Sequence, residues 1–505
     1  MGTIEAPGTP TGSTLSEGSQ AHTGEGSPRL NATAIILALT ALGAILRFAT
    51  LDVQSIWLDE SATMILVHRG LDGLLSHLPS SESAPPLYYV LVWAWTKVFG
   101  AGVLGFRSFS ALIGTVTIPV MYLAGRRFSP RIGLWAAALT TVNPAMYYYS
   151  QEARAYALLI LFSAAAFALW QRALQEPTTH RLALWSGLSI LALLTHYFAV
   201  FLFIPEAVIL ARRLHWRRVA IPAGAVVLVG LALVPLALRE RADGKSNWIQ
   251  SSSLLSRLAQ VPKQYLIGLY GPLEIYSTLL AGLLAAGAIV LLIRRGEERE
   301  KRLARDVAVV MVAALGLPAL LALTHALDIF NGRNVMATWP VAAVLVAAGL
   351  GIVRAGRSGA LLGAGLCAIS LLVIFAIDTT PGYQRDDWRG VARTLQAPAA
   401  DRVIVAPEHG SSPLYIYMPS SQNLTTASTA THEVAFVALR TQHTGHAPYP
   451  PVVPSTPPPG FHLVDVHRTE AFAVARFRAP ASATVSVSTL RRLSGEAKAD
   501  VFLQR

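Results

Sequence analysis

Apolar stretches of about 17–22 residues recur along the chain, each long enough to cross a hydrocarbon core of about 30 Å at a rise of about 1.5 Å per residue. They begin near Asn31, Phe106, Ile132, Arg154, Leu182, Phe198, Val219, Pro272, Asp306, Met336 and Gly359. The pattern predicts an α-helical polytopic membrane protein with about eleven transmembrane helices. The 182–210 stretch must hold two short spans broken around Thr195, His196 and Tyr197. Composition agrees: of 505 residues, 53% are hydrophobic and only 14% charged, against roughly 45–50% and 25% in ordinary soluble domains. That excludes a typical soluble enzyme.

The charges then orient the spans. There are 41 Lys and Arg against 29 Asp and Glu, a net charge of +12, and a basic excess on an apolar chain points to loops at a membrane surface rather than to nucleic acid. No nucleic-acid motif competes with that reading. Basic residues gather at Arg126, Arg127 and Arg131, at Arg172 and Arg181, at Arg212, Arg213, Arg217 and Arg218, in the run RRGEEREKRLAR from Arg294, and at Arg354 and Arg357. If the N-terminus is cytoplasmic and the spans alternate, all five clusters fall in cytoplasmic loops, where Lys and Arg accumulate. A multi-pass plasma-membrane protein is expected. The single cysteine, Cys367, lies in an apolar run, so no intramolecular disulfide or multi-cysteine zinc site can form.

Residues 1–30 are rich in Gly, Ser, Thr, Pro and Glu and read as a disordered cytoplasmic tail. They show no basic n-region and short apolar core, so no cleaved signal peptide is implied. The expected membrane domain is 31–377. Within it 51–105 is a long first external loop, whose 85–100 segment is too short to span and is read as interfacial. A second external loop covers 239–271, with another candidate interfacial helix. From 378 to 505 the texture changes to a small external α/β domain: a polar helix in DTTPGYQRDDWRGVARTLQ, then the β-prone runs RVIVA, PLYIYM, EVAFVAL, FHLVDV and AFAVARF. HAPYPPVVPSTPPPG reads as a loop. No repeat of solenoid length is found.

With this orientation the polar residues that look out of place share the outer side. Trp57, Leu58, Asp59, Glu60 and Ser61 follow the first span; Glu82 and PPLYY, with Tyr88, lie further along the loop. YSQEARAY, with Glu152 and Arg154, ends the third span; His196 sits at the fifth–sixth junction and Arg333 before the tenth span. Such a set suits sugar transfer from a lipid-phosphate donor. An attacking hydroxyl needs a carboxylate as general base, which Asp59 or Glu60 could supply. A phosphate leaving group needs charge neutralisation, which the planar guanidinium of Arg154 or Arg333 provides.

The order LDE, PPLYY, YSQEARAYALL and DWRGVA over about 31–393 is similar to bacterial membrane glycosyltransferases of family 39. These belong to the GT-C group, with the protein O-mannosyltransferases, the lipid A aminoarabinose transferase and the rhizobial lipopolysaccharide transferases. The resemblance implies a multispanning enzyme that takes a sugar from a polyprenyl-phosphate donor on the outer leaflet, inverts its anomeric configuration and passes it to a cell-envelope acceptor. By that likeness Asp59 is the base, with Glu60 tuning charge or binding acceptor. Arg154, Arg333, Glu152, Glu82, Tyr88 and His196 form the donor-phosphate and substrate-binding set. Relatives often carry a polar residue where this chain has Ala84, which weakens a metal assignment to Glu82 and His196. No metal ligand or cofactor is assigned, and a divalent metal stays open.

Each residue also has a plainer reading. Asp59 could cap a helix; Arg154 could snorkel to head groups; Arg333 could bind anionic lipid; His196 could be a hydrogen-bonded interfacial residue. Tyr147, Tyr148 and Tyr149 read as a membrane-interface belt, and Asp386, Asp387, Trp388 and Arg389 as a docking segment. At the level of function the alternatives are a transporter or flippase of a lipid-linked sugar, or a non-catalytic glycolipid-binding relative.

Overall fold

A computed structural model describes residues 2, 28–244, 246–396, 401–440 and 451–504. The tail expected at 1–30 lies outside them, apart from residue 2 and residues 28–30. The first long helix, α1, is Pro28–Phe48. Three short helices follow in the first loop: α2 (Leu58–His68), α3 (Gly70–Ser81) and α4 (Leu87–Phe99). The bundle continues with α5 (Val103–Gly125), α6 (Pro130–Val142), α7 (Pro144–Ser150), α8 (Tyr156–Gln175), α9 (Thr179–Thr195), α10 (Ala199–Leu214) and α11 (Trp216–Ala242). It closes with α12 (Leu254–Ile267), α13 (Glu274–Arg295), α14 (Glu298–Leu323), α15 (Trp339–Gly351) and α16 (Gly356–Thr379). Every apolar stretch found in the sequence falls on a helix. Among the described residues, six helices are long and apolar enough to cross a membrane. The chain is a multi-pass membrane protein.

α4 has 13 residues, about 20 Å of helix and short of the hydrocarbon thickness. The break inside 182–210 falls where the sequence puts it, between Thr195 and Ala199. A second break matters more for the site. Asn143 ends α6 and caps α7, its Oδ1 accepting from the Ala145 and Met146 N–H groups, and Pro144 occupies the first helical position, where no N–H is needed. The extended Asn143 therefore separates α7 from α6, and α7 carries residues 147–150 into the turn that leads to α8. Small residues let the helices close: a Cβ on Gly349 of α15 would lie 1.9 Å from the Ala288 carbonyl oxygen of α13, so only glycine permits that approach. The basic loops gather at one end of the bundle, with Arg127 in electrostatic reach of Arg172, Arg181 and Arg299. The first loop, the α7–α8 turn, the α9–α10 junction and α12 follow at the other.

The C-terminal part consists of α17 (Trp388–Leu395), β1 (Arg402–Ala406), α18 (Ser411–Tyr417), β2 (Ser421–Asn423), β3 (Ser428–Leu439), β4 (His462–Arg468), β5 (Phe472–Ser486), α19 (Val487–Ser494) and β6 (Asp500–Gln504). The strands form one sheet in the order β2-β6-β1-β3-β5-β4. β1 runs parallel to β3, and the other pairs are antiparallel. Four of the five β-prone runs lie in strands. The fifth, PLYIYM, is helical instead: Pro413 falls in the first turn of α18, where its missing N–H costs nothing. The polar helix expected from 378 shortens to α17, because Asp387 caps it, accepting from the Gly390 N–H. Residues 451–460 of the Pro-rich loop form neither helix nor strand; 446–450 lie outside the described residues.

Candidate functional site

α2 opens on Trp57 without a side-chain cap, and its first turn carries Asp59 and Glu60. Successive helical residues point about 100° apart, so the two acids enter different surroundings. Glu60 turns inward and is fully buried. Arg107 of α5 donates to both its oxygens, Nε to Oε1 at 2.8 Å and Nη2 to Oε2 at 2.6 Å. Arg385 Nη1 donates to Oε2 at 3.0 Å, and the Ala153 N–H to Oε1 at 3.0 Å. Burial alone would raise the Glu60 pKa, but Arg107 and Arg385 more than offset it and hold the carboxyl below its ordinary value. Glu60 thus joins α2 to α5, to the turn after α7 and to the segment after α16; its full burial seals it from an acceptor, which corrects the expectation that it could meet one.

Asp59 turns outward, with about a quarter of its side chain exposed, and its Oδ2 accepts from Arg333 Nη1 at 2.8 Å. It makes the ion pair that the capping reading lacks. The Arg333 guanidinium lies 4.9 Å from the Trp248 ring and 5.9 Å from the Trp57 ring, within cation–π range. Its loop is held from α12, where Arg257 donates to both oxygens of Asp328, at 2.7 and 3.1 Å, and to the Phe330 carbonyl at 2.9 Å. On the other side of Asp59, Arg154 pairs with Glu82. Its Nη1 also reaches the Asp59 carbonyl and Thr63 Oγ1, both at 3.4 Å, and Thr63 Oγ1 donates to Glu82 Oε1 at 3.2 Å. Asp59 therefore stands between two guanidinium groups, and neither is a stray surface charge.

Glu152 is buried in the turn between α7 and α8, and its Oε2 has no hydrogen-bond partner. Burial raises its pKa to about 7; Arg385 opposes this, and Asp59 and Glu60 add to it. His196 is buried at the end of α9, against Tyr156 and Phe198. Its Nδ1 accepts from the Phe198 N–H at 3.2 Å, and burial, with Arg154 nearby, lowers its pKa to about 4. It is a neutral wall residue. Tyr88 departs from expectation: it packs wholly inside the first-loop core, against Tyr89 and Phe109, with no face open to a substrate. Tyr147, Tyr148 and Tyr149 are also buried; the α6–α7 break turns them inward and they form no interface belt.

The two arginines that hold Glu60 were not among the expected site residues. Arg107 left a signal, since a charge inside an apolar stretch must find a partner; Arg385 left none. Around them the 386–389 segment ties the C-terminal domain to the first loop. Ser55 Oγ donates to Asp387 Oδ1 at 2.9 Å, Arg389 pairs with Asp52 at 2.7 Å, and the Ile56 N–H donates to the Tyr417 hydroxyl at 2.8 Å. Among the described residues no three His, Cys, Asp or Glu side chains converge as a metal-binding group. Glu82 is engaged by Arg154 and Thr63, and His196 Nδ1 by backbone, so the residues present do not fit a metal centre.

This is the architecture of a polytopic membrane protein with a small C-terminal sheet domain. Over 88% of this chain and 98% of the other, it matches crystal structures of ArnT from Cupriavidus metallidurans at 12% identity. The TM-score is 0.54 for the apo state and 0.53 for the form bound to undecaprenyl phosphate. Residues 83–238 match the family described as dolichyl-phosphate-mannose-protein mannosyltransferase. The likeness to ArnT is one of fold, and the family match covers about a third of the chain. No curated protein matches it in sequence.

Proposed function

We propose that this protein moves a sugar from a polyprenyl-phosphate donor to a hydroxyl of a cell-envelope acceptor, with inversion, at the outer face of the plasma membrane. The N-terminus is then cytoplasmic and the C-terminal domain external, as the basic loops favour. The observation that carries the reading is Asp59, partly exposed and flanked by the guanidinium groups of Arg333 and Arg154. An ArnT structure that shares the fold holds undecaprenyl phosphate, which supports a lipid-phosphate donor here.

The chemistry follows from those charges. The donor phosphate competes with Asp59 for Arg333, and taking that guanidinium releases the carboxylate. Asp59 then accepts the proton of the acceptor hydroxyl as its oxygen bonds to the anomeric carbon. The bond from that carbon to the phosphate oxygen breaks, its electron pair leaves on polyprenyl phosphate, and Arg333 and Arg154 neutralise the charge. Glu152 in its ionised form adds negative charge beside the oxocarbenium-like carbon, so activity rises as pH passes about 7. Glu82 fixes Arg154, and His196 walls the site.

Purified protein in lipid, given a panel of polyprenyl-phosphate pentoses and hexoses with envelope extract, is expected to release polyprenyl phosphate. Absence of release with every donor would remove the reading. Alternating access of an introduced cysteine from both membrane sides would favour a transporter instead.

A further inference from the structure

We infer that Arg385, in the segment leading from α16 into the C-terminal domain, is a positioning residue for the transfer, reaching back to the first loop and the end of α7 to hold the Glu60 carboxylate. The inference rests on the function proposed above. Arg385 is buried, and its contacts all run to the catalytic end of the membrane domain. Nη1 donates to Glu60 Oε2 and, at 3.2 Å, to the Gln151 carbonyl; Nη2 donates to the Tyr148 carbonyl at 3.4 Å. The guanidinium lies 4.3 Å from the Tyr148 ring and 5.9 Å from the Trp57 ring, and its backbone N–H donates to Gln54 Oε1 at 3.2 Å. One side chain thus joins the first loop to the end of α7.

The segment is anchored on both flanks, so it can carry that load. Gln384 Nε2 donates to the Ile377 and Asp378 carbonyls that end α16, and Asp387 and Arg389 grip residues 52–55. Asp59 precedes Glu60 in the same helical turn, so a shift of Glu60 moves the proposed base. A misplacement of about 1 Å costs on the order of a hundredfold in rate. The C-terminal domain is on this account a structural part of the catalytic site.

Arg385 also acts on Glu152 as the largest compensating charge. Glu152 faces Asp59 and Glu60 from α2, Arg154 from its own turn and Arg333 from the loop before α15. The phenols of Tyr148 and Tyr149 on α7, Tyr156 on α8 and Tyr88 on α4 complete its surroundings. Removing Arg385 leaves the two acids and subtracts a cation, so the pH at which Glu152 ionises rises.

The test uses the full chain in lipid with the donor panel above, measuring kcat, KM and the pH profile. Arg385→Gln is expected to lower kcat by about a hundredfold with donor KM changed less than about threefold, and to move the acid limb up by roughly one pH unit or more. Arg385→Lys, which keeps the charge without the fork, should restore the acid limb while leaving kcat at least about tenfold low. A cross-link with only a structural role would lower stability and leave the acid limb in place. Wild-type kcat and profile in Arg385→Gln would overturn the inference, and should that variant not fold, wild-type kcat in Arg385→Lys would do so. Absence of turnover by the wild type is instead the failure of the donor reading, and takes this inference with it.

Discussion

Two carboxylate clusters one residue apart in α2 differ in everything but chemistry. Around Glu60 the surroundings are dry: the side chain is fully buried and two arginines and a backbone N–H occupy its oxygens. Around Asp59 they are open, with both members of the Arg333 pair about a quarter exposed and aromatic rings beside the guanidinium. A carboxylate shared by two buried guanidinium groups cannot release either without leaving an uncompensated charge in a medium of low dielectric. Asp59, whose ion-pair partner Arg333 is partly solvated, can on the proposed function exchange that guanidinium for a phosphate. On the proposed function, the same pairing of an acid with arginine serves structure in the sealed cluster and chemistry in the open one, and accessibility divides the two.

The comparison breaks first at Asp59. Asp59→Asn should abolish transfer, a loss of roughly 10²–10⁴-fold or more, with expression and thermal stability close to wild type; full turnover would remove Asp59 as the base. Glu60→Gln should do the reverse of a clean catalytic lesion. It strands Arg107 and Arg385 without their partner and should cost about 3–5 kcal/mol of stability, read as a large loss of folded protein in detergent melts. A Glu60→Gln protein as stable as wild type would mean the sealed cluster is not structural.

Arg333→Gln sharpens the contrast at a smaller scale. Losing a charge-assisted contact to the donor phosphate is worth about 1.5–3 kcal/mol, so kcat/KM should fall roughly ten- to hundredfold. Addition of polyprenyl phosphate as competitor should then inhibit the variant less than the wild type. Equal inhibition of both would detach Arg333 from the phosphate.

Much of the scaffold was legible because membrane helices are written in long apolar runs: each of those runs falls on a helix, and the Thr195–Tyr197 break is where polarity interrupts the run. The division of labour between Asp59 and Glu60 was not. It depends on Arg107 and Arg385, which lie 47 and 325 residues from Glu60, and no local pattern ties positions so far apart. Tyr147–Tyr149 show the same limit. Aromatic composition suggested an interface, whereas the Asn143-Pro144 break, a local signal, decides that they turn inward.

The smallest expected effect lies between the two clusters, at Glu152. Burial, reinforced by Asp59 and Glu60, raises its folded-state pKa to about 7 from an ordinary value of 4.5. The folded protein therefore keeps a proton that the unfolded chain has lost between those pH values, and stability falls as pH rises across that window, then levels off above it. Glu152→Gln carries no titrating proton, so its melting temperature should lack this part of the decline while matching wild type near pH 4.5. Its activity profile should also lose the acid limb near neutrality. Parallel stability curves for the two proteins between pH 4.5 and 7 would show that Glu152 ionises normally, and that Arg385 and Arg154 offset its burial in full.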